Sequence, residues 1–205
     1  IDPRGDVIGF TSRVMDDSTP KYLNTPETAI FKKRSILYGL NYAKKTRRPN
    51  FILVEGNIDV ITLHQAGFDN TVATMGTALT EEHARMLGRY TKELVLCYDN
   101  DAAGEDATQR AIALLRSSEI GVKVLRLPKR RMPDGTLGKQ DADDYIKNCG
   151  PAAFEELMDG SANSAEYRLS VVQGRFDLSR DDQRAQYLLA AAEVVAGLPS
   201  PVERE

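Results

Sequence analysis

The sequence predicts an α/β protein with a Rossmann-like, mostly parallel sheet and helices on both of its faces. Four short apolar runs carry this prediction, at 51–54, 71–75, 94–98 and 122–127. Segments of helical length separate these runs, and strands that alternate with helices form parallel sheets covered on both sides. A chain of 205 residues holds one such domain together with smaller flanking parts.

Helices are predicted between these strands at 58–66, 80–91 and 103–118. Thr80 is a favourable N-cap, because its hydroxyl can accept a backbone N–H, and Glu81 and Glu82 suit the positive end of a helix. Gly67 and Gly121 stand where C-terminal caps belong.

The flanking segments have a different pattern. Residues 1–15 alternate as two short strands do, and residues 19–50 are irregular and basic with a short helical stretch near 34–45. Residues 128–140 form a basic loop that contains proline and glycine. After Pro151 the pattern is helical, near 151–158, 162–174 and 180–197.

We therefore expect three parts: a partial N-terminal α+β subdomain at 1–50, an α/β domain at 51–150 and a C-terminal helical region at 151–205. The first residues already show a strand pattern, so we also expect the chain to be a piece of a longer protein.

Composition argues against a membrane span and against a zinc site. No apolar run approaches the roughly 20 residues that a transmembrane helix needs. Cys97 and Cys149 are far apart and form no CxxC pair, and His64 and His83 are the only histidines. His64 and His83 are expected to be surface or packing residues, and Cys97 to be buried in a strand. These observations favour a cytoplasmic protein without zinc.

Charge is distributed unevenly along the chain. Residues 1–50 hold ten basic and five acidic residues, a net charge of +5, whereas the other 155 residues hold 17 basic and 25 acidic residues, a net charge of −8. A basic front and an acidic body suit a protein that neutralises phosphates with one part and binds cations with the other. An ordinary solvated surface explains the same distribution.

Carboxylates follow three of the predicted strands. Glu55 follows the first, Asp99 and Asp101 follow the third, and an acidic group after the fourth consists of Asp141, Asp143 and Asp144. The C-terminal ends of strands are where open α/β sheets bind ligands. Residues two apart in an extended segment point the same way, so Asp99 and Asp101 can converge. Glu55 joins them if the strands at 51–54 and 94–98 are neighbours.

Clustered carboxylates repel one another, and a hard divalent cation is the usual reason to bring them together. A site whose ligands are all oxygen atoms favours Mg²⁺ or Mn²⁺ over zinc. A single Asp-x-Asp is also common as a turn with a helix N-cap, and Glu before Gly is a common polar exit from a strand. The occurrence of both at the correct ends of separate strands favours the metal site.

Several segments resemble the Toprim domain of bacterial, DnaG-type primases. They are Val-Glu-Gly-Asn-Ile-Asp-Val at 54–60, Ala-Thr-Met-Gly-Thr-Ala-Leu-Thr at 73–80, Tyr-Asp-Asn-Asp-Ala-Ala-Gly at 98–104 and Gln-Asp-Ala-Asp-Asp-Tyr-Ile at 140–146. Toprim signatures also occur in topoisomerases and some nucleases. Two upstream segments, Pro-Lys-Tyr-Leu-Asn-Thr-Pro-Glu-Thr at 20–28 and Leu-Tyr-Gly-Leu at 37–40, resemble the adjoining part of the primase polymerase core and narrow the match.

The resemblance implies a nucleotidyltransferase that synthesises short RNA primers from ribonucleoside triphosphates on single-stranded DNA during replication. It implies Mg²⁺, replaceable by Mn²⁺, as the cofactor. Glu55, Asp99 and Asp101 would then be catalytic, and the same three together with Asp59, Asp141 and Asp143 would bind metal directly or through water. The positions near nucleotide and primer phosphates would be Arg13, Lys21, Tyr22 and Lys33.

The sequence departs from the usual family pattern at Asn57, Asn100 and Ala142, where an aromatic residue, glycine and proline are more common. None of these changes removes a carboxylate. The family's zinc-binding module and C-terminal helicase-binding module are expected to be missing from this chain, so that the helicase would be contacted through a module outside it and the isolated chain would prime DNA weakly.

Two other classes of function stay open at this stage. A Toprim-type nuclease or a phosphohydrolase could use the same metal cluster, and a nonenzymatic module could bind nucleic acid or nucleotide. A nuclease would cleave DNA with metal alone, whereas a primase would need ribonucleoside triphosphates.

Overall fold

The computed structural model describes residues 1–14, 16, 19–20, 22–131 and 135–198. Its strands are β1 (Thr11–Arg13), β2 (Tyr22–Asn24), β3 (Leu37–Tyr38), β4 (Phe51–Val54), β5 (Thr71–Thr74), β6 (Glu93–Leu96), β7 (Gly121–Val124), β8 (Arg130–Arg131), β9 (Leu137–Gly138) and β10 (Ala162–Asn163). Its α-helices are α1 (Leu40–Ala43), α2 (Asn57–Gln65), α3 (Glu81–Leu87), α4 (Ala102–Leu115), α5 (Ala142–Asp159), α6 (Ser164–Gln173) and α7 (Asp181–Ala196).

A six-stranded sheet with the strand order β10-β7-β6-β4-β5-β3 forms the centre of the protein. The four inner strands run parallel to one another, and the two edge strands, β3 and β10, pair antiparallel with their neighbours. The predicted α/β fold with a mostly parallel sheet is therefore confirmed. Two small antiparallel ribbons, β1–β2 and β8–β9, lie outside the sheet.

Helices cover both faces of the sheet because successive strand residues point to opposite sides. Leu53 of β4 packs into a core with α3 and α4, whereas Ile52 and Val54 pack on the opposite face with α2 and α5. Strands that are apolar on both faces are typical of parallel sheets buried between two layers of helices. Among the described residues, no helix is both long and apolar enough to cross a membrane.

The fold differs from the sequence prediction in the segment before the sheet. The helical stretch expected near 34–45 is a 3₁₀ turn at Lys33–Ser35, the edge strand β3 and the single-turn helix α1. Gly39 separates β3 from α1 with a φ of +82°, a value that suits glycine. Of the two strands expected within 1–15, the described residues contain one, β1.

The helix predicted to begin at Pro151 begins at Ala142 instead. Asp141 caps α5, and the helical axis kinks at Gly150, whose φ is +81°, so that Pro151 starts the second half of the helix. Proline is tolerated there because the first turn of a helix has no need of its N–H. The basic loop predicted at 128–140 contains the β8–β9 ribbon. The last two predicted helices are present as α6 and α7.

Candidate metal centre and phosphate-binding surface

Parallel pairing of β4 with β6 brings Glu55 and Asp99 to the same edge of the sheet. Leu53 stands opposite Leu96, so the residues that follow the two strands emerge side by side. The backbone N–H of Asp99 donates a 3.0 Å hydrogen bond to Oε1 of Glu55. The prediction that these two strands are neighbours is confirmed.

Asp101 is fixed at the start of α4. Its Oδ1 accepts a 2.9 Å hydrogen bond from the N–H of Gly104, which lowers the pKa of Asp101. A Cβ at Gly104 would lie 2.1 Å from the carbonyl oxygen of Asp99, so only glycine fits. The expectation that Asp-x-Asp acts as an N-cap and the expectation that its carboxylates converge are compatible, because one carboxylate oxygen of Asp101 serves the cap.

A second group of carboxylates stands at the start of α5. Oδ1 of Asp141 caps this helix by accepting a 2.7 Å hydrogen bond from the N–H of Asp144. One carboxylate oxygen from each of Asp141, Asp143 and Asp144 lies within 4.8 Å of the others. Asp144 was not among the metal ligands assigned from the sequence. Its position three residues after a helix cap, on the same face as Asp141, is the signal that identifies it.

Asp59 links this second group to β4. Its Oδ2 accepts a hydrogen bond from the N–H of Gly56 and its Oδ1 accepts one from the N–H of Asp143, both at 3.1 Å. The side chain is buried, and burial, with the nearby charge of Asp141, raises the pKa of Asp59 to about 7. Asp59 therefore ties the β4–α2 turn to the first turn of α5.

The two groups of carboxylates share one electrostatic environment. Burial raises the pKa of Glu55, and the charges of Asp99 and Asp101 add to the effect. Burial likewise raises the pKa of Asp141, to which the charge of Asp99 contributes across the site. The anionic forms of Glu55 and Asp141 are thus disfavoured by burial and by neighbouring carboxylates, and a cation relieves the repulsion. Oxygen donors at this spacing fit a hard divalent ion such as Mg²⁺.

Two lysines pair with the carboxylates, and the sequence argument missed both. Nζ of Lys139 lies 3.4 Å from Oδ2 of Asp99 and 3.4 Å from Oδ2 of Asp101. Nζ of Lys147 lies 2.6 Å from Oδ2 of Asp143, one helical turn earlier on α5. Lys147 could have been identified from its i+4 spacing, whereas Lys139 reaches residues about forty positions away in the chain.

Tyr22 faces the carboxylates from the β1–β2 ribbon. Burial raises the pKa of Tyr22, and smaller contributions come from the charges of Asp59, Asp141 and Asp143. Arg13 is the cross-strand partner of Tyr22, and its guanidinium lies 5.8 Å from the centre of the Tyr22 ring. Of the predicted phosphate-binding residues that the structure describes, Arg13 and Tyr22 are the two that lie on paired strands.

Lys33 belongs to a different element from these two, and Lys21 lies outside the described residues. Lys33 belongs to the 3₁₀ turn that packs against α3, and its backbone N–H donates to Oε1 of Glu27 at 2.9 Å. No ion pair joins the Lys33 side chain to a carboxylate within the part of the chain that the structure describes.

His83 holds the Lys33 turn in place. The imidazole is fully buried, and its Nε2 lies 2.9 Å from the carbonyl oxygen of Lys33 and 3.2 Å from that of Ile36. The N–H of Thr80 lies 3.3 Å from Nδ1, which makes Nδ1 the acceptor and Nε2 the donor. Burial lowers the pKa of His83. His83 is therefore a packing residue, as expected, and Cys97 is buried, also as expected.

A cavity of about 530 Å³ opens beside Glu55, between the loop after β5 and helix α4. Alanines at every fourth position of α4 line one wall, at 103, 107 and 111, and Tyr98 and Arg110 contribute polar groups. The hydroxyl of Thr77, which also lines the cavity, is buried and has no hydrogen-bond partner among the described residues. Sequence reasoning did not predict this cavity.

Comparison with known families divides the chain into three matched segments. Residues 52–146 match the Toprim-like family, residues 1–44 match the N-terminal domain of the DNA primase catalytic core, and residues 165–205 match the DnaB-helicase binding domain of primase. The last match corrects the expectation that the helicase-binding module is missing from this chain.

Curated relatives match over nearly the whole chain. The DNA primase of Clostridium acetobutylicum is 40% identical over 205 residues, which are 100% of this chain and 33% of that protein. The DNA primase of Escherichia coli K12 is 38% identical over 205 residues, 99% of this chain and 34% of that protein. The chain thus spans about a third of the length of these relatives.

Solved structures agree with the relatives. A DnaG primase catalytic domain bound to single-stranded DNA matches with a TM-score of 0.78 and 35% identity, covering 99% of this chain and 63% of that one. A second match is the RNA polymerase domain of Mycobacterium tuberculosis primase DnaG, in complex with a double-stranded DNA oligomer that has a 6-nucleotide overhang. Its TM-score is 0.80 at 30% identity, and the match covers 100% of this chain and 64% of that one.

The fold and the carboxylates at the strand ends define a Toprim domain, a class that binds divalent metal. The segments on either side of it match primase domains, and the relatives and solved structures named above are primases. The chain belongs to the bacterial DNA primase family, of the DnaG type.

Proposed function

We propose that this chain is the catalytic core of a DNA primase and that it joins ribonucleotides on a single-stranded DNA template. The supporting observation is the convergence of Glu55, Asp99 and Asp101 at one edge of the sheet, next to the carboxylates of α5. In each step the 3′-oxygen of the primer attacks the α-phosphorus of a ribonucleoside triphosphate. The bond to pyrophosphate breaks, and the hydroxyl proton passes to solvent or to a nearby base.

The cofactor proposed for this centre is Mg²⁺, with Mn²⁺ as a substitute. When bound, the metal lowers the pKa of the attacking hydroxyl and neutralises charge on the triphosphate. The proposed ligands, directly or through water, are Glu55, Asp99, Asp101, Asp141 and Asp143, with Asp144 added by the geometry. Asp59 supports them, because its two backbone hydrogen bonds fix the position of Asp143 relative to Gly56.

Phosphates are proposed to lie along the basic N-terminal part. Arg13 and Tyr22 are cross-strand partners on one ribbon, and the charges of Asp59, Asp141 and Asp143 reach Tyr22. A guanidinium suits phosphate oxygens, and a phenol can donate a hydrogen bond or stack on a base. Lys21 and Lys33 are proposed to extend this surface. The partners in this proposal are the template strand, the triphosphates and the RNA primer.

The proposed division of the chain is a partial N-terminal subdomain at 1–50, the Toprim domain at 51–150 and a helical region at 151–205. The helical region is proposed to contact the replicative helicase, which is supported by its match to the DnaB-helicase binding domain. This activity would place the protein in the cytoplasm at the replication fork.

Ribonucleotide incorporation tests the proposal. A single-stranded template is incubated with the chain, Mg²⁺ and labelled ribonucleoside triphosphates, and both labelled primer and released pyrophosphate are measured. Incorporation is expected, and Asp99→Asn is expected to reduce it at least about 100-fold, because catalysis depends on precise positioning at the metal. Asp106→Asn, an exposed change on α4, is the control.

Two results would contradict the proposal. Cleavage of the DNA in the absence of triphosphates would identify a nuclease. Absence of both incorporation and Mg²⁺-dependent triphosphate binding would show that the carboxylates serve another purpose.

A further inference from the structure

Lys139 occupies the open side of the carboxylate pair formed by Asp99 and Asp101. Its Nζ is equidistant from Oδ2 of both, at 3.4 Å. The lysine side chain is 65% exposed, whereas those of Asp99 and Asp101 are 23% and 35% exposed. The ammonium therefore covers these carboxylates from the direction of solvent. No other ion pair involves Asp99 or Asp101 in the described part of the chain.

The backbone that carries Lys139 is anchored, although its side chain is not. The next residue, Gln140, is 4% exposed. We assign its amide orientation from its neighbours: the nitrogen then donates to the carbonyl oxygen of Pro128 at 3.2 Å, and the oxygen accepts from the N–H of Tyr145 at 3.3 Å. Gln140 thus joins the start of the basic loop to α5. Lys139 extends from this fixed point on a four-carbon stem that has many accessible rotamers.

An ammonium ion and a divalent cation compete for the same carboxylates. A bound Mg²⁺ requires oxygen ligands at 2.0–2.1 Å in near-octahedral geometry, and a positive charge held a few ångströms away opposes its binding. Lys139 must therefore leave Asp99 and Asp101, at least in part, for these residues to hold the metal. Once released, the exposed ammonium has three N–H donors available to an anionic substrate.

We propose that Lys139 alternates between two partners. Without metal, it neutralises Asp99 and Asp101. When these carboxylates hold the metal, it turns to the phosphate oxygens of the incoming ribonucleoside triphosphate. The inference rests on the proposed function, because it assumes that the same carboxylates bind metal and that the substrate is a triphosphate. It makes Lys139 a substrate-contacting residue that also sets the affinity of the free protein for metal.

Two binding measurements on the whole chain test this role. In the first, Mn²⁺ alone is titrated and followed by electron paramagnetic resonance. Lys139→Met is expected to bind Mn²⁺ about three- to tenfold more tightly than the unaltered chain, because a competing ammonium with two partly exposed ion pairs is removed. In the second, GTP is titrated in saturating Mn²⁺, and the same variant is expected to bind GTP about three- to tenfold more weakly.

Two further variants control the experiment. Lys139→Arg keeps the charge, so its Mn²⁺ affinity is expected to stay within about twofold of the unaltered chain. Lys129→Met removes an exposed charge from the same loop and is expected to change neither affinity. Thermal unfolding of each variant without metal checks that the fold is retained.

The opposite signs of the two effects separate this role from simpler ones. Weaker binding of both ligands by Lys139→Met would show that the lysine only maintains the loop, and unchanged binding of both would show an ordinary surface ion pair. Tighter Mn²⁺ binding with unchanged GTP binding would show that Lys139 does not contact the triphosphate. Each of these results overturns the inference while the proposed function stands. Failure of the unaltered chain to bind Mn²⁺ would overturn the proposed metal centre, and the inference with it.

Discussion

Asp59 shows how one buried carboxylate couples the fold to the proposed metal centre. It accepts backbone hydrogen bonds from two segments that are far apart in sequence, and burial raises its pKa to about 7. Burial and the charge of Asp141 favour the neutral form of Asp59 in the metal-free protein, and a nearby cation would favour the charged form. The residue that links β4 to α5 therefore also changes its charge near neutral pH.

This pKa predicts how stability depends on pH in the absence of metal. Between its ordinary value of 3.8 and about 7, Asp59 is protonated in the folded protein and ionised in the unfolded chain. The folded state binds more protons, so the free energy of unfolding falls as pH rises through this window, by on the order of 2–4 kcal/mol from this group. Urea denaturation in EDTA at pH 4.5 and pH 7.5 measures the fall.

Asp59→Asn should remove most of this pH dependence, although it also weakens one of the two hydrogen bonds at every pH. Asp106→Asn, on the exposed side of α4, serves as the control and should leave the slope unchanged. If the free energy of unfolding changes with pH equally in Asp59→Asn and in the unaltered chain, then Asp59 is ionised throughout the range.

Gly104 predicts a steric requirement at the same site. Gly104→Ala would place a methyl group 2.1 Å from the carbonyl oxygen of Asp99. This oxygen belongs to the backbone, which cannot move aside as the end of a flexible side chain can. We expect a loss of about 2–3 kcal/mol in the free energy of unfolding, together with weaker Mn²⁺ binding. Gly174→Ala is the matched control, because its nearest contact would be 3.6 Å. Equal stability of the two alanine variants would contradict the close approach.

At the scale of elements, the molecule depends on polar contacts that join one segment to another. His83 of α3 holds the Lys33 turn, and Gln140 holds the basic loop against α5. Both side chains are buried, so each missing hydrogen bond would leave a polar group without solvent. These contacts position basic residues that the hydrophobic core does not reach.

His83→Leu tests the first of these contacts. The substitution leaves the carbonyl groups of Lys33 and Ile36 without their donor, and we expect the free energy of unfolding to fall by about 2–3 kcal/mol. Urea denaturation measures it, with Arg85→Gln on the exposed side of α3 as the control. If both variants are as stable as the unaltered chain, then the turn does not depend on the imidazole.

Periodicity alone predicted the elements that are buried on both faces. The four inner strands and the helices between them have long-enough patterns to be recognised in the sequence. The edge strands β3 and β10 are two residues long and pair with distant segments, so no local pattern marks them. The start of α5 was missed because Asp141 and Asp143 were interpreted only as metal ligands, while Asp141 is also the helix cap.

The candidate site was predictable to the extent that it follows strand order. Glu55, Asp99 and Asp101 come together because their strands are neighbours, a condition that the sequence pattern left open and that the sheet order fulfils. Lys139 was not predictable, since its position depends on how a loop of no regular pattern returns across the sheet edge. Asp144 could have been predicted as a ligand from the sequence if the start of α5 had been recognised.

At the scale of the whole molecule, the uneven charge predicts separate binding sites for phosphate and for metal. Lys21→Ala and Lys33→Ala are each expected to weaken binding of a ribonucleoside triphosphate by about three- to tenfold and to leave Mn²⁺ binding unchanged, because the lysines interact with phosphate as point charges. Lys45→Ala, a change at an exposed lysine of the basic N-terminal part, is the control. Unchanged triphosphate affinity in both variants would show that these lysines are surface residues that do not bind phosphate.

The central claim is that carboxylates from the strand ends and from α5 act as one metal centre, and Mn²⁺ titration of two single variants tests it most directly. Asp99→Asn removes a ligand of the first group and Asp141→Asn one of the second, with Asp106→Asn as the control. Because one centre uses both groups, each of the first two substitutions is predicted to weaken Mn²⁺ binding at least about tenfold. Mn²⁺ affinity that is unchanged in either variant would contradict a shared centre.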